Sequence, residues 1–133
     1  MGTVNQAPVV VIADDDADIR QLVGVAVRRA GACVGASVAD GVAAWQVIRD
    51  LEPDLAILDV AMPRMSGLQV CRSIRADPGI AGTRVMLLSA AVHPAAVEAG
   101  TAAGADLYGV KPFSPRSLAA QIHDLLAAPA PRR

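Results

Sequence analysis

The chain has 133 residues, of which 53% are apolar and 19% charged, with a formal net charge of −1. That length is one ordinary domain with ample material for a core, and a balance so near neutral excludes the basic footprint of a nucleic-acid-binding surface. No apolar run reaches the roughly 18–20 residues of a membrane span, because Arg28, Arg29, Asp40 and Asp50 interrupt the richest stretch. The N-terminus has no basic region followed by an apolar one, so no signal peptide is expected and the chain reads as cytoplasmic. Met1-Gly2 opens like a myristoylation signal, but Gln6 stands where Ser or Thr is required. Cys33 and Cys71 form no C-x-x-C pair and are expected as two buried, reduced thiols. Lys111 is the one lysine among 12 Lys and Arg residues, which marks its position.

Residues 1–8 read as a loose arm. Val9-Val10-Val11-Ile12 is a β-branched run expected as a buried parallel strand. Ile19, Leu22, Val23, Ala26 and Ala30 then recur at helical spacing, and Gly31 supplies the stop. Cys33–Ser37 is a weak strand, and Val42, Trp45 and Ile48 mark a second helix. Leu55-Ala56-Ile57-Leu58 is a strong strand that ends at Asp59. After a loop containing Pro63 and Gly67, a third helix is marked by Leu68, Cys71 and Ile74. Val85-Met86-Leu87-Leu88 predicts a fourth strand, and Pro94–Ala103 an Ala-rich fourth helix. Leu107–Val110 predicts a fifth strand ending at Lys111. Ser114 as N-cap and Pro115 in the first turn open a fifth helix, with Leu118, Ile122 and Leu125 inward. Residues 9–127 thus read as one domain, and 128–133 as a tail or truncated linker. Five strand–helix alternations predict an α/β, doubly wound, five-stranded parallel sheet with helices on both faces.

Four of the strands run into polar residues: Asp14-Asp15-Asp16, Asp59, Ser89 and Lys111. In a parallel sheet all carboxyl ends share one edge, and ligands bind there. Two carboxylates about 4 Å apart repel by roughly 4 kcal/mol at an effective dielectric of about 20. A domain's whole stability is only about 5–15 kcal/mol. Clustered acids therefore need a cation, proton uptake or solvent between them. A divalent cation on oxygen ligands fits, and few protein ligands with room for water and phosphate favour Mg²⁺ over Ca²⁺. Lys111 cannot neutralise the cluster alone, but lysine and metal together suit a dianionic phosphoryl group.

Four segments carry a family resemblance: Ile12-Ala13-Asp14-Asp15-Asp16, Leu58-Asp59-Val60-Ala61-Met62-Pro63-Arg64-Met65-Ser66-Gly67, Leu87-Leu88-Ser89-Ala90, and Tyr108-Gly109-Val110-Lys111-Pro112-Phe113. In this order and spacing, across about residues 9–127, the chain resembles a response-regulator receiver domain of two-component signalling. The resemblance implies a flavodoxin- or CheY-like sheet of order 2-1-3-4-5. It implies Asp59 as phosphoacceptor, with Ser89 and Lys111 on phosphoryl oxygens. Mg²⁺ would be held by Asp14, Asp15, Asp59 and the Ala61 carbonyl. Ser89 and Tyr108 would form the switch, and Lys111-Pro112 would be cis. Such a domain catalyses only its own phosphorylation and dephosphorylation. Its partners would be a sensor histidine kinase or histidine phosphotransfer protein, and a downstream protein target or an output domain outside this chain. A phosphorylation-dependent homodimer is a further expectation. Ala17, Gly109 and Leu107 depart from the family's commoner residues, and small Ala61 and Ala91 occupy positions that tune dephosphorylation.

Competing readings leave more unexplained. Asp16 and Asp18 are expected as capping and surface residues. Asp14-x-Asp16-x-Asp18 begins like an EF-hand loop, but Ile19 and Val25 stand where that loop needs Gly and Glu. A haloacid-dehalogenase-like phosphohydrolase also uses Asp, Ser and Lys, yet Asp124 alone could serve as its late acid. Trp45 is expected in the core, His123 on a helix surface, and His93 near the pocket without a catalytic role.

Overall fold

The structure, a computed structural model, describes residues 6–129. Five strands and five helices alternate: β1 (Val9–Ala13), α1 (Ala17–Arg29), β2 (Cys33–Val38), α2 (Gly41–Leu51), β3 (Leu55–Asp59), α3 (Gly67–Ala76), β4 (Arg84–Ser89), α4 (Pro94–Ala102), β5 (Leu107–Val110) and α5 (Pro115–Ala127). The strands pair in parallel in the order β2-β1-β3-β4-β5. This is the doubly wound sheet that the alternation predicts.

Strand pleating explains the two-sided core. Successive side chains point to opposite faces, so Val10 and Ile12 join one apolar cluster while Val11 and Ala13 join the other. The first cluster is completed by α1 and α5 through Val23, Ala26, Val27, Leu118 and Ile122. The second is completed by α2 and α3 through Ala44, Ile48, Val70, Cys71 and Ile74. All five residues of β3 are buried, which is why this strand reads as an apolar run, Leu55 to Leu58, up to Asp59.

Several side chains lie elsewhere than the sequence pattern suggests. Leu22 is 42% exposed, because α1 buries the stripe Val23, Ala26 and Val27 against the sheet and α5. In α2 the buried stripe is Gly41, Ala44 and Ile48; Val42 and Trp45 are only half-buried. Trp45 still packs against the second apolar cluster, as expected, and its ring also lies under the Arg49 guanidinium, 5.3 Å from its centroid. The two cysteines also differ. Cys71 is buried as expected, but Cys33 is exposed, since it opens an edge strand whose residues alternate between exposed and half-buried. Leu107 is half-buried against the α1/α5 cluster. Most of the expected arm and tail, residues 1–5 and 130–133, lies outside the described residues. Among the described residues no helix is long and apolar enough to cross a membrane.

Candidate functional site

The carboxyl ends of β1, β3, β4 and β5 bring the predicted residues to one rim. Asp14 follows β1 and is 2% exposed, Asp59 ends β3 at 6%, and Ser89 ends β4 at 8%. Asp15 beside them is exposed. One carboxylate oxygen from each of Asp14, Asp15 and Asp59 lies within 4.8 Å of the others. Lys111, just past β5, spans the two buried acids: its Nζ is 2.7 Å from Asp14 Oδ2 and 3.2 Å from Asp59 Oδ1.

Local backbone chemistry fixes each acid. Asp14 Oδ1 accepts from the Asp16 N–H at 2.9 Å, and the Asp14 carbonyl accepts from Arg20 at 2.7 Å. Asp16 caps α1 through the N–H groups of Asp18 and Ile19, so it has the expected helical role. The backbone of Ala61 hydrogen-bonds the Asp59 carboxylate and favours its charged form. Pressing the other way, burial is the largest influence on Asp59, followed by the Asp14 charge, and together they hold its pKa above the ordinary 3.8 despite Lys111. For Lys111, burial disfavours the ammonium, but the hydrogen bonds and charges of Asp14 and Asp59 outweigh it and raise the pKa above 10.5.

A second network leads away from the acids. Ser89 Oγ accepts from the Ala91 N–H at 3.0 Å, and the Ala91 carbonyl accepts from the Tyr108 hydroxyl at 2.7 Å. Tyr108 is half-buried and lies so close to α4 that a Cβ on Gly100 would sit 2.7 Å from its Cδ2. The Lys111-Pro112 bond is cis.

The donor set offers only oxygens. Three carboxylates face one ammonium, and one of the three opens to solvent. That combination fits a hard divalent cation which keeps several waters.

Residues 10–123 match the family described as response regulator receiver domain. The chain belongs to that family. This receiver is 36% identical over 122 residues to the DNA-binding response regulator MtrA of Mycobacterium tuberculosis, covering 92% of this chain and 51% of MtrA. It is 40% identical over 117 residues to the transcriptional regulatory protein GltR of Pseudomonas aeruginosa, covering 88% of this chain and 48% of GltR. The receiver thus spans about half the length of the curated relatives it matches. Among solved structures it resembles the signal receiver domain of NarL from M. tuberculosis, with TM-score 0.87 and 30% identity, covering 94% of this chain and all of that one (100%). It also resembles the chemotaxis response regulator CheY4 of Vibrio cholerae, with TM-score 0.83 and 30% identity, covering 90% of this chain and 99% of the other.

The phosphohydrolase alternative finds no support in the receiver. Its required late acid, Asp124, lines a groove with Arg84 and Leu107 at the amino ends of β4 and β5, the opposite end of the sheet from Asp59. His93 is the N-cap of α4, its Nδ1 accepting from the Ala96 N–H at 3.2 Å, and His123 is exposed. Sequence reasoning missed Arg20, which lies among ordinary helix-surface residues, and, although it placed Ala91 by the site, it missed the link that Ala91 makes through its peptide groups.

Proposed function

We propose that this receiver accepts a phosphoryl group on Asp59 and relays its presence through Ser89 and Tyr108. The observation that carries the reading is Lys111 Nζ held between two nearly buried carboxylates, with a serine hydroxyl at the end of the neighbouring strand. The donor is a phosphohistidine on a sensor kinase or a histidine phosphotransfer protein. An Asp59 carboxylate oxygen attacks phosphorus, the P–N bond breaks, and imidazole leaves as an acyl phosphate forms. Hydrolysis reverses the state: water attacks phosphorus, and Asp59 carboxylate and inorganic phosphate are released. Asp14, Asp15, Asp59 and the Ala61 carbonyl would hold Mg²⁺, which supplies charge neutralisation for the phosphoryl oxygens. Lys111 exchanges a carboxylate partner for a phosphoryl oxygen, and the Ser89 hydroxyl donates to another.

The domain acts on no substrate other than its phosphodonor; it catalyses only its own phosphorylation and dephosphorylation. Its place is the cytoplasm, and its output passes to a protein target or an output domain outside this chain. This chain makes no direct nucleic-acid contact. The test is incubation with Mg²⁺ and acetyl phosphate. One phosphoryl group is expected, base-labile and lost in Asp59→Asn but retained in Asp16→Asn. Mass spectrometry placing the group on any other residue overturns the assignment.

A further inference from the structure

The loop that follows Asp59, residues 61–66, has a backbone it would not adopt unaided. Arg64 has φ 69, and the Met65 N–H donates across it to the Pro63 carbonyl at 2.7 Å. That is a γ-turn with positive φ, the rarer and more strained of the two γ-turn forms. A non-glycine residue stays there only where its surroundings over-determine it.

Those surroundings include the first turn of α2. The Gly41 N–H donates to the same Pro63 carbonyl at 3.3 Å. A Cβ on Gly41 would lie 1.8 Å from the Met65 carbonyl oxygen and 2.5 Å from its carbon, both backbone atoms that no rotamer change can clear. Asp40 fixes this helix end by accepting from the Ala43 N–H at 2.8 Å. At the loop's far end a Cβ on Gly67 would lie 2.3 Å from the Asp59 carbonyl oxygen. The loop is therefore pressed between two helix starts, and the peptide of Ala61, which touches the Asp59 carboxylate, belongs to it.

We propose that Gly41 is a positioning residue for the metal site: only a glycine lets α2 seat against the γ-turn, and that seating sets where Ala61 presents its carbonyl. The inference rests on the receiver chemistry proposed above. It predicts that α2, which contributes no side chain to the acid cluster, nevertheless controls cation affinity.

Calorimetric titration with Mg²⁺ and amide exchange of the metal-free protein form the test. Gly41→Ala should weaken Mg²⁺ binding about tenfold or more, as loss of an outer-shell partner does, and should speed exchange at Met65. Acetyl phosphate labelling should slow at low Mg²⁺ and recover at saturating Mg²⁺. Ile48→Val, a core change in the same helix, should lower the melting temperature without altering Mg²⁺ affinity. If Gly41→Ala fails to fold, Asp40 serves. Asp40→Asn keeps the cap and Asp40→Ala removes it, so Asp40→Ala should bind Mg²⁺ more weakly than Asp40→Asn. Parent-like affinity in Gly41→Ala, equal affinity in the two Asp40 variants where Gly41→Ala cannot be measured, or equal weakening in Ile48→Val overturns the inference. A parent that binds no Mg²⁺ overturns the site reading itself.

Discussion

Asp59 and Lys111 have opposite relations to pH. A carboxyl whose pKa rises on folding binds more protons folded than unfolded, so stability falls as pH climbs from the ordinary value of 3.8 through the folded value. At neutral pH an ionised Asp59 therefore weighs against the metal-free fold. Asp59→Asn should abolish labelling yet melt higher than the parent without Mg²⁺; a lower melting temperature at pH 7 would contradict that balance. Lys111 is the reverse case. Its raised pKa gives stability that is fully present below 10.5 and lost only as pH rises through the folded value. Lys111→Ala removes the ammonium between two nearly buried acids and should cost about 1–3 kcal/mol by denaturant titration. Millimolar Mg²⁺ should recover more of that loss in the variant than it adds to the parent. Asp15, being exposed, is the acid whose loss disturbs the fold least. Asp15→Asn should weaken Mg²⁺ binding about tenfold or more while the metal-free melting temperature holds or rises. An equal Mg²⁺-induced rise in both proteins would place the cation elsewhere.

At the level of elements, strands were easier to read than helix faces. β1, β3 and β4 are buried on both sides along Val10–Ala13, Leu55–Leu58 and Val85–Leu88, so those runs are wholly apolar and each ends sharply at an acid or at Ser89. Asp14, Asp59 and Ser89 were legible as candidate site residues for that reason, lying at the ends of those strands, whereas Lys111, past the short and partly exposed β5, stood out as the one lysine. Helix stripes were less legible, because Val and Leu occur on the outer faces of α1 and α2 as well, and Gly41 and Ala44 bury where larger residues seemed the natural choice. The link through Ala91 could not be read at all, since an alanine's peptide groups carry no sequence signal. That link makes a prediction about α4 and β5. Tyr108→Phe removes the hydroxyl bond to the Ala91 carbonyl and should cost about 0.5–1.5 kcal/mol. Phosphorylation should change amide exchange over residues 89–111 more than over residues 33–50 in the parent, and this contrast should shrink in Tyr108→Phe. Equal change in both regions of the parent would rule out the switch.

For the molecule as a whole, phosphorylation can act only by favouring one of two existing arrangements. The α4–β5–α5 surface is the place to look for the readout, including a homodimer that forms on phosphorylation. Sedimentation of labelled and unlabelled protein tests it: a shift in mass confined to the labelled sample is expected, and identical profiles would leave only hetero-partners. The groove of Arg84, Asp124 and Ala128 adds a constraint of distance. Arg84 donates to the Ala128 carbonyl at the amino end of β4, so α5 finishes at the pole opposite Asp59. A strand of five or six residues spans about 17–20 Å. Any cargo joined beyond Pro129 would therefore be moored a full sheet's length from the chemistry, and news of the acyl phosphate would have to cross the fold to arrive at its anchor.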